Sequence, residues 1–226
     1  LIQGRDRHQS LNLEFNPQQC RLALSPCSTF KIANALIGLQ TGAVSGPGHV
    51  REWDGVQHGR QDLNRDHDLA SAMRHSAVWY FQDLARDVGE EPMRRWLAEL
   101  DYGNQDISAG IDRFWLGSSL KIDARRQMEL LKELRHGTLP FRPEHQQAVR
   151  DMLAQDSGLA GALYGKTGSC AGGEGTPRHG WFIGWLDGGS ERNPSTTWFV
   201  INIRGEEARG SEARRIALEL LADLHD

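Results

Sequence analysis

Strands at both ends of the chain and helices through its middle predict an α+β protein, in which an antiparallel sheet is flanked by terminal helices and an all-helical lobe is inserted into the sheet layer. Three observations carry this. Leu11-Asn12-Leu13-Glu14-Phe15 alternates apolar and polar with period two, the run from Ser28 to Gln40 is apolar almost all round, and beyond Ser157 the pattern reverts to strands. The boundaries follow: residues 1–27 and 157–226 make a sheet lobe from both termini, residues 28–156 make the mainly helical lobe, and a site is expected between them, where pockets are common.

Leu11 to Phe15 reads as a half-buried strand, with Leu1-Ile2 as the end of its hairpin partner. From Ser28, the apolar residues Phe30, Ile32, Ala33, Leu36, Ile37 and Leu39 leave no polar face until Thr41-Gly42 stops the run, which predicts a buried helix. Gly46-Pro47-Gly48 and the polar stretch through Arg65 form a loop, and Asp66 or Asp68 can cap a helix through Met73. Pro92 suits the first position of a helix to Leu100, Asp123 can cap one carrying Met128, Leu131 and Leu134, and Pro143 starts another. Ala162 to Thr167, Trp181 to Leu186 and Thr197 to Ile203 read as strands, with Asp187-Gly188-Gly189 opening the turn between the last two. A closing helix begins near Gly210 and shows Ala213, Ile216, Ala217, Leu220 and Leu224 on one face.

The 226 residues, 38% hydrophobic and 25% charged, are enough to bury a substantial core and exclude a disordered chain. No apolar run approaches the roughly 18 residues of a spanning helix, so no membrane span is expected. Lys+Arg 26 against Asp+Glu 30 gives no excess positive field, which argues against nucleic acid as a partner. Leu1 is preceded by no basic and apolar signal region, so any targeting segment is missing or already removed. The cysteines are Cys20, Cys27 and Cys170, an odd number with no C-x-x-C pair. Cys20 and Cys27 are close enough to pair if the loop between them doubles back, and buried free thiols fit equally well. No histidine pair has metal-ligand spacing, and Asp66-His67-Asp68 reads as a solvated loop and helix cap, so no metal is expected. Lysine is scarce: Lys31, Lys121, Lys132 and Lys166 are the whole complement.

Two of those lysines stand in chemically suggestive company. In Ser28-Thr29-Phe30-Lys31, residues three apart share a helix face, so the Ser28 hydroxyl and Lys31 amine can meet. An amine buried among apolar groups is driven toward its neutral form, able to accept a proton or react with carbon dioxide. In Lys166-Thr167-Gly168, the glycine lets a ligand approach the backbone, Thr167 offers a hydroxyl and Lys166 a charge for a carboxylate. Taken singly, these are equally a chance Ser-x-x-Lys and an exposed strand end, and Ser76-Ala77-Val78 is a helix-terminal serine beside a core valine.

Together and in order, Ser28-x-x-Lys31, Ser76-x-Val78, Tyr102-Gly103-Asn104, Trp115 and Lys166-Thr167-Gly168 resemble the serine β-lactamases and penicillin-binding proteins. Ser76-Ala77-Val78 in place of Ser-Asp-Asn, with Tyr-Gly-Asn present, resembles class D, the oxacillinases. The likeness runs from about Leu11 to near the C-terminus. It includes Ser25-Pro26-Cys27-Ser28-Thr29-Phe30-Lys31-Ile32, Trp53-Asp54-Gly55, Trp79-Tyr80-Phe81, Phe114-Trp115-Leu116 and Gly180-Trp181-x-x-Gly184-Trp185.

The resemblance implies a hydrolase opening a small-molecule β-lactam of the penicillin type. Ser28 is then the acylated nucleophile, and Lys31 the general base, carried as an N-carboxylated carbamate, so that carbon dioxide is the one added group and no other cofactor is expected. Trp115 holds that carbamate by an indole hydrogen bond, Val78 shields the lysine, and Ser76 relays a proton to the lactam nitrogen. Lys166, Thr167 and Gly168 receive the substrate, Ser28 and Ser169 supply backbone N–H groups to the oxyanion, and Arg214 on the closing helix corresponds to the carboxylate-binding arginine, with Arg204, Arg209 and Arg215 as neighbours. The chain departs from the family where Cys27 replaces a common alanine and Ala33 a common proline, and its amino-terminal strands are short. A β-lactam receptor domain that stays acylated, and a transpeptidase, share these motifs. The expected setting is periplasmic or secreted, as a monomer or homodimer.

Overall fold

The computed structural model describes residues 1–5, 10–172, 177–190 and 193–225. Strands β1 (Ile2–Arg5) and β2 (Ser10–Leu13) form the expected amino-terminal pair, followed by the single turn α1 (Pro17–Cys20), whose first N–H groups Asn16 caps by accepting from the Gln19 amide. A 3₁₀ turn over Cys27–Phe30 leads into α2 (Lys31–Thr41), so the first turn of the buried segment is wound tighter than the α-helix expected from Ser28. β3 (Val50–Arg51) pairs with β4 (His67–Asp68), and α3 (Leu69–His75) starts at Asp68, whose carboxylate accepts from the Ser71 amide at 2.7 Å.

Helix α4 (Val78–Val88) carries no local helix-start signal in the sequence. Val78-Trp79-Tyr80-Phe81 is a run of strand-favouring side chains, and the residue before it, Ala77, carries no capping group. Tertiary burial of Trp79, Tyr80, Phe81 and Leu84 decides the matter in favour of helix. α5 (Glu90–Glu99) begins two residues before Pro92, which occupies the third position, where the missing N–H is still one of the unbonded donors. α6 (Ala124–His136) is capped by Asp123 and α7 (Pro143–Met152) begins at Pro143, both as expected.

The remaining strands are β5 (Ala154–Gln155), β6 (Ala162–Cys170), β7 (His179–Ser190) and β8 (Asn193–Arg204), and α8 (Gly210–His225) closes the chain. The sheet runs β2-β1-β8-β7-β6-β5 and is antiparallel throughout. The first and last strands are therefore neighbours, with the Leu1 amine donating to the Val200 carbonyl at 3.0 Å. Asp187-Gly188-Gly189 does not turn: pairing continues to Ser190 opposite Asn193, because the long hairpin keeps making ladder bonds past the glycines.

Alternation along the strands sorts side chains onto two cores. Leu163, Phe182, Leu186 and Phe199 face α8 and meet Ala213, Ala217 and Leu221. Trp181, Ile183, Trp185 and Val200 face the helices α2 to α7. Period two along β6 thus sends Lys166, opposite Ile183, to the helical side, and Thr167, opposite Phe182, to the α8 side. The cysteines correct one expectation. Cys27 pairs with Cys170, 143 residues away, and Cys20 is a buried free thiol; Cys20 is tied to its own turn by a contact to the Phe15 carbonyl, while the 3₁₀ turn carries Cys27 against the end of β6. Cys27 is thus half of a cross-link and not the simple small packing residue expected beside the nucleophile.

Candidate active site

Where the 3₁₀ turn meets α2, Lys31 Nζ lies 2.7 Å from Ser28 Oγ. The serine is partly exposed and the amine wholly buried, between the Phe30 end of the turn and the Phe81 ring, whose centroid is 5.5 Å from Nζ. Burial drives the Lys31 amine well below the ordinary lysine range, and the nearby Lys166 charge pushes the same way. A serine hydroxyl hydrogen-bonded to an amine that burial drives toward its neutral form is a nucleophile with a base beside it.

The second pair comes from two other elements. Ser76 terminates α3 in the left-handed region, at φ 57°, a conformation uncommon and strained for a serine. That turn presents its hydroxyl to β6, where Lys166 Nζ donates to Ser76 Oγ at 3.1 Å and to its neighbour's carbonyl, Thr167 O, at 3.0 Å. Lys166 is only 4% exposed, and burial first, then the Arg60 charge, lowers its pKa to about 7. A charge on one lysine lowers the pKa of the other, so the two pairs share one poorly hydrated space.

Backbone packing joins the halves. A Cβ on Gly168 would stand 2.9 Å from the Pro26 carbonyl and 3.1 Å from Thr29 Cγ2, so only glycine lets β6 lie this close to the turn that carries Ser28. Ser25 anchors that turn: its hydroxyl donates to the Trp115 carbonyl and accepts from the Gly117 amide, each at 2.9 Å, while its carbonyl accepts from Trp181 Nε1 and His179 Nε2, also at 2.9 Å. Ser169 Oγ accepts from the Gly210 amide, tying the start of α8 to the strand end.

Trp115 is fully buried, stacked at a tilt on Phe30 with ring centroids 5.4 Å apart. Among the described residues its Nε1 has no hydrogen-bond partner. A buried unpaired N–H costs about 1–3 kcal/mol; the indoles of Trp185 and Trp198 are unpaired in the same way, but Trp115 alone packs on Phe30, the residue before Lys31, where a small anion carried on that lysine would offset the cost. The buried amine with its lowered pKa and the unpaired indole N–H fit a lysine carbamate, which Lys31 would carry and Trp115 would hold. Among the described residues, Cys27, Cys170 and His179 form the one cluster of metal-type ligands, and its two sulfurs are bonded to each other.

The structure thus gathers Ser28, Lys31, Ser76, Lys166 and Gly168, with Val78 opening α4 two residues after Ser76. Thr167 and Ser169 lie on β6 beside the start of α8. Arg214 is not brought to this cluster. It lies on the α8 side of the sheet, its Nε donating to Gln155 Oε1 at 3.1 Å and Nη2 to the Asp156 carbonyl at 2.8 Å, with the guanidinium 6.0 Å from the Phe182 ring. Arg60 went unremarked in the sequence; its Nη1 donates to the His75 carbonyl, next to Ser76, at 3.2 Å, and it is paired with Asp62. Nothing in the loop's composition distinguishes it, since its place depends on how residues 52–66 fold back over α3.

Comparison with known proteins agrees with this geometry. The penicillin binding protein transpeptidase domain family matches residues 4–222. The probable β-lactamase YbxI of Bacillus subtilis is 42% identical over 216 residues, covering 96% of this chain and 77% of that protein. The solved structure of the class D β-lactamase BAT-2 superimposes with a TM-score of 0.88 at 38% identity, covering 99% of this chain and 90% of that one. The C-terminal domain of the Bacillus licheniformis BlaR penicillin-receptor superimposes with a TM-score of 0.83 at 34% identity, covering 91% and 82%. With the Ser28–Lys31 and Ser76–Lys166 pairs close enough for the charge on Lys166 to act on Lys31, the chain belongs to the penicillin-binding transpeptidase family and, within it, to the class D β-lactamases.

Proposed function

We propose that the protein hydrolyses the lactam amide of penicillin-type antibiotics through a covalent acyl-enzyme on Ser28. The observation that carries this is the 2.7 Å contact between Ser28 Oγ and a fully buried Lys31 amine whose pKa lies well below the usual lysine range. Lys31 accepts the hydroxyl proton as Ser28 attacks the carbonyl. When present on Lys31, the carbamate supplies a carboxylate oxygen as the base. Trp115 orients that base, and Phe81 and Val78 keep bulk water from it.

Negative charge developing on the carbonyl oxygen falls between the backbone N–H groups of Ser28 and Ser169. The Ser76 hydroxyl, bonded to Lys166, passes a proton to the leaving nitrogen. Lys166 and Thr167 receive the substrate carboxylate, and Arg60, 57% exposed at its side chain, adds positive charge at the Ser76 end. Gly168, expected from the sequence to let a ligand approach the backbone, instead lets the turn that carries Ser28 pack against β6 and so sets where the nucleophile stands relative to the strand. The buried Cys27–Cys170 disulfide suits an oxidising compartment, which supports a periplasmic or secreted protein. Among the described residues no helix is long and apolar enough to cross a membrane.

The likeness to a penicillin-receptor domain favours a second reading, a sensor that is acylated and remains so. A chromogenic cephalosporin in excess separates them: sustained turnover is expected, and a single stoichiometric burst with a stable adduct assigns the sensor role. Labelled-bicarbonate NMR on the active protein is expected to show a carbamate resonance that is lost in Lys31→Ala. Its absence from fully active protein removes the carbamate and leaves the free amine as base.

A further inference from the structure

We infer that the Cys27–Cys170 disulfide is a positioning element for catalysis, setting the distance between the two oxyanion-binding amides and making acylation depend on its oxidation state. The inference rests on the β-lactam reading above and concerns a bond that spans the active site itself. Cys27 immediately precedes Ser28 and Cys170 immediately follows Ser169, so the bridge joins the two residues flanking the paired N–H donors. Its Cα atoms are 5.7 Å apart, and both cysteines are buried, 3% and 2% exposed.

Two further observations give the bond a mechanical role. Cys27 has φ 46°, in the left-handed region that a side chain with a Cβ rarely adopts, so the turn that aims Ser28 is held in a conformation it would not choose freely. The surrounding wall does not depend on the bridge: Ser25 is gripped independently by Trp115, Gly117, His179 and Trp181, and β6 is paired to β7 along its whole length. Opening the disulfide therefore frees the Cys27 backbone inside an otherwise intact site. An oxyanion hole works because its donors are fixed before the reaction, and a displacement of a fraction of an ångström in one donor is felt in the rate.

Reduction is a two-electron step. A dithiol reductant supplies two electrons and two protons, the S–S bond breaks, Cys27 and Cys170 each gain an S–H, and the reductant closes into its own cyclic disulfide. Because both sulfurs are buried, the exchange needs mild denaturant or long incubation, followed by dilution into assay buffer.

The test compares oxidised protein, dithiothreitol-reduced protein and the Cys27→Ala/Cys170→Ala double variant, with Cys20→Ser as the control for the third, unpaired thiol. The number of free thiols is counted by alkylation and mass, and folding is checked by circular dichroism. The acylation rate constant, measured by stopped flow with a chromogenic cephalosporin, is expected to fall about tenfold or more on reduction while KM changes little, to recover on reoxidation, and to be low in the double variant. The acyl carbonyl stretch is expected to move to higher wavenumber in the reduced protein, a signature of weaker hydrogen bonds to that oxygen which a purely structural bridge would not produce. Protein shown to be reduced and folded, yet acylated at the oxidised rate with an unshifted carbonyl band, overturns the inference and leaves the β-lactam reading standing. A lower melting temperature with unchanged acylation does the same. Acylation in neither state overturns the reading and the inference together.

Discussion

The two faces of the central sheet are made from the same strands and packed to opposite ends. On the α8 side, Leu163, Phe182, Leu186 and Phe199 meet Ala213, Ala217 and Leu221 in an apolar layer. On the helical side, β6 and β7 present Lys166 and His179 to a neighbourhood that also buries Ser25, Thr29, Lys31 and Gln127. One face gains stability from burying apolar surface, at roughly 25 cal/mol per Å². The other spends some of it, holding two lysines below their normal protonation, serine and cysteine backbones at positive φ, and an indole N–H without a partner. Strain and desolvation are thus concentrated on the face where chemistry is proposed, and they are supported from behind by a layer that contains none of it.

The largest effect expected from breaking this division is at the nucleophile. Ser28→Ala should lower the acylation rate by about a thousandfold or more, with no covalent adduct detected by intact mass after incubation with a penicillin. An adduct that still forms would place the nucleophile elsewhere.

Lys31→Met and Leu221→Ala should separate the two faces most directly, because the first is expected to remove activity without loss of stability and the second stability without loss of activity. Lys31→Met removes the base and should abolish sustained turnover. It also replaces an amine whose charged form burial disfavours with a thioether of similar shape, so the melting temperature should rise by a few degrees. Leu221→Ala hollows the α8 side and should cost about 2–5 kcal/mol of stability, with kcat per folded molecule unchanged. Denaturation melts and active-site titration with a slow substrate read both quantities. A Lys31 variant that is markedly less stable would mean that the amine is a structural member of its core.

The pH dependence sharpens the contrast further. Lys166 has its pKa lowered to about 7, against an ordinary value of 10.5. Between about pH 7 and pH 10 the unfolded chain keeps a proton that the folded one has released, so stability contributed by this group rises with pH through that window and falls as pH drops toward 7. Activity should go the other way if the ammonium receives the substrate carboxylate: kcat/KM should decline above an apparent pKa of about 7. Lys166→Arg cannot deprotonate, so its kcat/KM should be lower at neutral pH but lose this basic limb. A limb that persists in the arginine variant belongs to another group.

Much of this was legible in the sequence because local signals and chemistry coincided. Asp68 and Asp123 mark helix starts by accepting a backbone N–H three residues on, Pro143 marks one by its fixed φ, and Ser28 and Lys31 meet because a single helical turn brings them together. What was not legible depends on long-range packing. Helix α4 is a strand-like sequence made helical by burial, the Cys27–Cys170 bridge spans 143 residues, and the direction of Arg214 is set by α8 docking on the far face of the sheet. The Cys20–Cys27 pairing was attractive on spacing alone, and spacing cannot report that β6 arrives beside the 3₁₀ turn.

The smallest effect should come from a lysine outside the site, and it tests whether scarcity alone marks function. Lys121 and Lys132 belong to no motif in the sequence, which asks of them no role beyond solvation. Lys132 nevertheless has one: its Nζ donates to Gln3 Oε1 at 2.5 Å and lies 5.6 Å from the Trp198 ring, tying α6 to the first and last strands of the sheet. Cation–π and partly exposed hydrogen bonds of this kind contribute about 0.5–1 kcal/mol, far less than the desolvation carried by Lys31 or Lys166. Lys132→Ala should therefore shift the denaturation midpoint slightly and leave kcat, KM and the pH profile of kcat/KM as they are. Since Lys132 acts as a partly solvated tie and Lys31 as a buried amine, Lys132→Arg should restore stability fully, whereas Lys31→Arg should restore no turnover, because a guanidinium neither deprotonates nor forms a carbamate. Rescue at 132 without rescue at 31 would show that burial of the amine, more than the rarity of lysine, separates the two kinds of position.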